Sequence, residues 1–154
     1  MPPGDIMATE LYNAMIHPFR GFSIAGTIWY QGESNVGKTA AYLDLLPTMI
    51  DSWRRRWEDN FTFLIVQLAG YQADTGRPQD SPAWAQFRDV QRQIAEKVPN
   101  AGLAVAIDIG DKHDIHPRNK QDVGRRLALQ ALKITYGHDI VASGPTIASA
   151  TADG

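Results

Sequence analysis

His116 stands among acids: Asp108, Asp111 and Asp114 precede it in DIGDKHDIHP, and Glu33 lies in the remote segment GESN. An imidazole beside a carboxylate is the pairing that general-base catalysis uses. The acid holds one ring nitrogen and leaves the other to take a proton. Any of these four acids could hold His116. The ring directly precedes Pro117, which predicts that it sits at the start of a helix whose positive end disfavours imidazolium. Asp108, Asp111, His113, Asp114 and His116 are also residue types that ligate divalent ions.

A second pattern competes for the same chain. GESNVGKT, residues 32–39, satisfies the phosphate-cradling pattern G-x-x-x-x-G-K-[ST], and Asn119, Lys120, Gln121 and Asp122 satisfy the guanine-reading pattern N-K-x-D. A GTP-binding protein is therefore an alternative. Its context is poor: NKQD follows the polar stretch HDIHPR rather than a buried strand, and no D-x-x-G occurs to sense a γ-phosphate.

Alternating elements must position these groups. FSIAGTIWY (22–30), FTFLIVQL (61–68) and LAVAIDI (103–109) are apolar, β-branched runs that predict buried strands. Leu11 to Ile16 predicts a short helix. Between the first two strands, Tyr42, Leu45, Leu46, Met49, Ile50 and Trp53 recur at helical spacing over Ala40 to Trp57, where Pro47 should bend or interrupt the helix. Ser81 and Pro82 predict the N-cap and first residue of a helix whose face carries Trp84, Phe87, Val90, Ile94 and Val98. Pro117 should open a last helix that ends at Gly137. Strands that alternate with helices imply a parallel sheet covered on both faces, with chemistry at the carboxyl ends of its strands. GESN, QLAGYQ and DIGDKHDIHP all fall at such ends. Tyr71 and Gln72 either line a cleft there or pack the loop.

Charge and composition narrow the function classes. Fifteen Lys+Arg against 17 Asp+Glu leave a net charge of -2, so no global field draws the chain to nucleic acid or an acidic membrane. The run Trp53, Arg54, Arg55, Arg56, Trp57 reads as a core tryptophan at a helix end, with arginines solvated or paired with Asp51 and Glu58. With no cysteine, disulfides, thiolate metal sites and cysteine nucleophiles are excluded together. No apolar run is long enough to span a bilayer, and the first residues lack the basic and apolar regions of an export signal.

The segments LYNAMIHPF, GTIWYQGESN, YLDLLPTMIDSWRRRW, FLIVQLAGY, WAQFRDVQ, AVAIDIGDKHDIHPRNKQDVGRRLA and YGHDIVASGP resemble the sialate O-acetylesterase family, SGNH-type serine esterases, from near Leu11 to near Pro145. That resemblance implies a three-layer α/β/α, flavodoxin-like fold with a parallel sheet lacking its first strand. Residues 1–137 would be part of the esterase domain and 138–154 a truncated tail. The implied reaction is hydrolysis of acetyl esters on sialic acid or related sugars, with no cofactor and no metal. The partner is a small-molecule acetylated sugar, with no nucleic acid and no membrane. His116 matches the family's DIHP histidine. Asp114 is the orienting acid by position, although many SGNH-type enzymes place it three residues before the histidine, where this chain has His113; Glu33 competes for the role. Gln31, Gly32 and Asn35 match the block that lines the oxyanion and substrate side. The family's nucleophile lies in a G-Q-S-N-type segment that has no match here. Ser34 is a poor substitute, because Gly32-Glu33-Ser34-Asn35-Val36 lacks the second glycine of a nucleophile elbow. The expectation is a fragment inactive by itself, or a non-catalytic sugar-binding remnant. The family would place it in the periplasm, outside the cell or in lysosomes, if a signal lies upstream.

Overall fold

A computed structural model describes residues 9–71 and 83–151. Three parallel strands, β1 (Gly26–Trp29), β2 (Thr62–Val66) and β3 (Ala101–Ala104), pair in the order β1-β2-β3. Gly26 is opposite Thr62 and Phe63 opposite Ala101, so all carboxyl ends lie along one edge of the sheet. Helix α1 (Thr39–Trp57) joins β1 to β2, α2 (Ala83–Lys97) joins β2 to β3, and α3 (Lys120–Ile134) follows β3. The expected α/β architecture holds.

Strand alternation sorts the core into two halves. Phe63 and Ile65 of β2 face Tyr42, Leu46 and Ile50 of α1 and Phe87, Val90 and Ile94 of α2. Leu64 and Val66 face the other way, onto Ala104 and onto Val123 and Leu127 of α3. Helices thus cover both faces of β2, which is buried at every position.

Several boundaries differ from the sequence expectation. The first helix is a π-helical turn over Tyr12–Ile16. Strands are shorter than their apolar runs because pairing ends where the partner diverges. The run after Ala104 turns into a 3-10 segment, Ile107–Ile109, while Ala106 stays buried. Pro47 does not interrupt α1: the helix loses one backbone donor but keeps Leu46 and Ile50 in the core. Helix α3 begins three residues after Pro117, because Asn119 caps it by accepting from the Asp122 N–H at 3.2 Å. It ends at Ile134, just before Gly137, whose φ of 70° no longer fits a right-handed helix. Ser81, Pro82 and Gln72 lie outside the described residues.

Arg54 is half-buried and bonded to backbone carbonyls rather than paired with an acid. Its fork donates to Phe61 O at 2.9 and 3.1 Å and to Asn100 O at 3.2 Å, tying the end of α1 to the starts of β2 and β3. Arg55 pairs with Asp51 at 3.1 Å as expected, and Arg56 lies 4.7 Å over the Tyr12 ring. Among the described residues no helix is long and apolar enough to cross a membrane.

Candidate active site

Beyond β1 the chain passes Tyr30 and Gln31 and turns at Gly32, whose φ is 146°. A Cβ there would overlap Cε1 of Phe87, so only glycine lets the loop pass over α2. Glu33–Asn35 then form a 3-10 turn closed by Asn35 N–H to Gly32 O at 2.8 Å. Ser34 is an exposed member of that turn. The Gln31 side chain donates from Nε2 to Asn35 Oδ1 at 2.8 Å and accepts from the Tyr42 hydroxyl at 3.2 Å. The Tyr42 hydroxyl in turn accepts the indole N–H of Trp29 at 3.1 Å. Gln31, Gly32 and Asn35 therefore form one connected unit.

Gln91 ties this unit to the next strand. Its side chain is fully buried, and its Oε1 accepts the Leu68 N–H at 2.8 Å. Its Nε2 lies 3.3 Å from Gln31 O and 3.4 Å from Val66 O. One carboxamide thus spans the carboxyl ends of β1 and β2. Trp84 anchors the following loop by donating to Ala69 O at 2.8 Å, with Tyr71 stacked 5.3 Å away, so Tyr71 packs the loop.

The segment after β3 is held from two sides. Gly70 N–H donates to Ile107 O at 3.2 Å, and Gly110 crosses Gly70 so closely that a Cβ on it would overlap the Gly70 carbonyl. On the other side Arg126 grips Asp108 with both nitrogens, Nη2 to Oδ2 at 2.7 Å, and donates to Val105 O at 2.7 Å. That guanidinium holds the Asp108 carboxyl below the usual carboxylate range. Asp108 is therefore committed to Arg126 and does not orient His116.

Two Asx turns follow in tandem. Asp111 accepts the His113 N–H and Asp114 accepts the His116 N–H, each at 2.8 Å. The first bond lowers the Asp111 pKa. The second brings Asp114 Oδ1 to 3.8 Å from Nδ1 of His116, whose side chain is 85% exposed. No ion pair or hydrogen bond joins Glu33 to His116 among the described residues; the negative charge of Glu33 instead adds to the burial that raises the Tyr30 and Tyr42 pKa values. His116 lies four residues before Lys120, so the expected placement at a helix start does not hold. Lys120 Nζ sits 4.8 Å over the Tyr30 ring and brings the two loops side by side.

The nucleotide-like letters have structural roles. Asn119 Nδ2 donates to Asp122 Oδ2 at 2.8 Å while Asn119 Oδ1 caps the helix, so the Asn and Asp of NKQD bind each other. Lys120 is spent on Tyr30, and Gly32 packs on Phe87 instead of opening a phosphate cradle.

Trp29, Tyr42 and Gln91 were not legible as site residues. A polar letter on an apolar face, Gln91 between Phe87 and Ile94, is the one signal that could have found such a group, because buried polar atoms must be hydrogen-bonded.

Comparison with known proteins identifies the family. The family model for carbohydrate esterases described as sialic acid-specific acetylesterase matches residues 4–133. The sialate O-acetylesterases of Mus musculus and Homo sapiens are each 37% identical over 160 residues, covering 92% of this chain. The chain spans only 29% and 30% of those proteins. Among solved structures, a carbohydrate acetylesterase from Xanthomonas citri superposes with a TM-score of 0.80 at 43% identity, over 88% of this chain and 32% of that one. Nothing in these relatives supports the GTP-binding alternative.

Proposed function

Because this chain belongs to the sialic acid-specific carbohydrate esterase family, we propose that it supplies the base side of a serine esterase site that removes acetyl groups from sialic acid or a related sugar. The observation that supports this reading is the Asp114–His116 pair, carried on the segment between β3 and α3, beyond the same carboxyl edge of the sheet at which the Gln31, Gly32 and Asn35 turn follows β1. Asp114, whose Oδ1 accepts the His116 backbone N–H, is the acid that would hold Nδ1 of the His116 ring. At 3.8 Å the contact is longer than a hydrogen bond and needs a small ring adjustment, as catalytic contacts often do before substrate binds. Nε2 then takes the proton from a serine hydroxyl as its oxygen attacks the acetyl carbonyl carbon. When the bond to the sugar oxygen breaks, His116 returns the proton to that oxygen, and water later releases acetate from the acetyl-serine. N–H donors of the Gly32 to Asn35 turn stabilise the oxyanion.

On this reading the attacking serine is supplied from outside these 154 residues, while Ala142 still packs on the domain, its carbonyl accepting from buried Gln130 at 3.2 Å. Ser34 is not the nucleophile: it is a turn residue with no hydrogen bond to His116 among the described residues. Glu33 shapes the electrostatics of Tyr30 and Tyr42 rather than orienting the base.

Hydrolysis of p-nitrophenyl acetate by the full-length protein tests this. His116→Ala is expected to lower kcat at least about 10³-fold, with Asp114→Asn costing most of that and Glu33→Gln little. Full activity in His116→Ala would refute the esterase reading. A larger loss from Glu33→Gln than from Asp114→Asn would move the orienting role to Glu33. A parent protein that binds glycans but cleaves no ester would be the non-catalytic remnant instead.

A further inference from the structure

The polar chain from Trp29 to Asn35 has a direction. An indole nitrogen can only donate, so Trp29 makes the Tyr42 oxygen its acceptor at 3.1 Å. The one proton of Tyr42 must then go to an acceptor. The oxygens within reach are Gln31 Oε1 at 3.2 Å and Gln31 O at 3.4 Å. With Oε1 turned to Tyr42, the other end of the Gln31 carboxamide is an N–H donor, and it donates to Asn35 Oδ1 at 2.8 Å. Reversing any one amide would set two donors or two acceptors against each other. Burial raises the Tyr42 pKa, so the hydroxyl keeps its proton across the working range. The frame beneath is fixed: fully buried Gln91 reaches Gln31 O, and the Asn35 N–H is closed onto Gly32 O.

We propose that Trp29, Tyr42 and Gln31 are positioning residues that lock the Asn35 carboxamide with its oxygen held by Gln31 and its Nδ2 hydrogens turned away from Gln31, as a donor toward the carbonyl oxygen of the ester. This rests on the esterase reading above and adds to it the group that sets the donor's sense. Asn and Gln carboxamides are nearly symmetric in shape, so packing alone distinguishes their two ends poorly. Trp29 makes Tyr42 a donor, and because Gln31 O already takes Gln91 Nε2, the shorter contact to Gln31 Oε1 sets which end of Gln31 faces Asn35 and spares the site the cost of reorienting a dipole as the oxyanion forms.

A double-mutant cycle on the full-length protein tests the relay, with kcat and KM for p-nitrophenyl acetate and a thermal melt of every variant. Gln31→Glu presents only acceptors, so Asn35 must turn its Nδ2 inward and offer Oδ1 to the substrate. Gln31→Glu and Asn35→Ala are each expected to lower kcat about 10²-fold, with KM changed less than about threefold. The double variant should be no slower than Asn35→Ala alone, because Gln31 acts through Asn35. Tyr42→Phe should cost about tenfold in the wild-type background and nothing in Asn35→Ala. A wild-type kcat in Gln31→Glu, or a loss that adds in full to that of Asn35→Ala, overturns the relay. If Gln31→Glu fails to melt cooperatively, the Tyr42→Phe arm decides by the same criterion. His116→Ala in parallel separates the two levels: an active His116→Ala refutes the esterase reading, whereas an inactive one with additive losses refutes the relay alone.

Discussion

Replacing Gln91 by leucine keeps most of its volume and removes both polar ends. In the folded protein Gln91 is fully buried, and three backbone groups depend on it: Leu68 N–H at 2.8 Å, Gln31 O at 3.3 Å and Val66 O at 3.4 Å. The donor matters most, because Gln91 Oε1 is its short, well-placed partner and leucine offers nothing in its place. Leaving that N–H buried and unmet costs about 1–3 kcal/mol, and the two longer contacts, each worth about 0.5–1 kcal/mol, bring the total to about 2–5 kcal/mol. The additional apolar carbons of leucine return about 1–2 kcal/mol of this through transfer from water, leaving a net loss of about 1–3 kcal/mol. Against a total stability of about 5–15 kcal/mol the loss is large. The four tryptophans make urea unfolding visible by fluorescence. With a slope of about 2 kcal/mol per molar urea, the midpoint should fall by about 0.5–1.5 M. Amide exchange at Leu68 should accelerate more than exchange at Phe63 in the middle of β2. A midpoint within about 0.2 M of wild type, or unchanged protection at Leu68, would refute the claim that this carboxamide joins the strand ends.

Two further outcomes follow from single contacts. Gly32→Ala combines a backbone at φ 146° with a methyl that overlaps the Phe87 ring, and should cost about 2–5 kcal/mol in the same urea assay. Asp108→Asn should show a pH-dependent difference from wild type. Arg126 depresses the folded-state pKa of Asp108, so its contribution is present above the unfolded value of about 3.9 and is lost as pH falls through the lower folded value. Because the carboxylate is more than half exposed, that contribution is at most about 1 kcal/mol, so melts at pH 7 should differ by a few degrees and converge toward pH 2.

The candidate site is partly legible in the amino-acid sequence. DIHP and GESN announce themselves because titratable and amide groups cluster there at strand ends, and the order of strands and helices fixes which edge of the sheet they share. The start of helix α3 is ambiguous in sequence because Pro117 and Asn119 both carry start signals, and only the cap hydrogen bond distinguishes them. NKQD looks like ligand-binding letters in one dimension, yet Asn119 binds Asp122 within its own helix cap, and Lys120 covers Tyr30, a partner that the packing of α3 on the sheet brings near.

Local preference and periodicity, acting over a turn or two, are enough for the sequence by itself to determine the three strands, the helices between them and the parallel α/β class, and to mark His116 as a candidate base with Asp108, Asp111, Asp114 and Glu33 as its candidate acids. Long-range contacts decided the rest. Gln91 lies 60 residues from Gln31 and Arg126 lies 18 from Asp108. Whether a polar side chain is a solvated letter or a structural tie depends on what the folded chain brings within about 3 Å of it, because a buried polar atom is tolerable only when that partner is present.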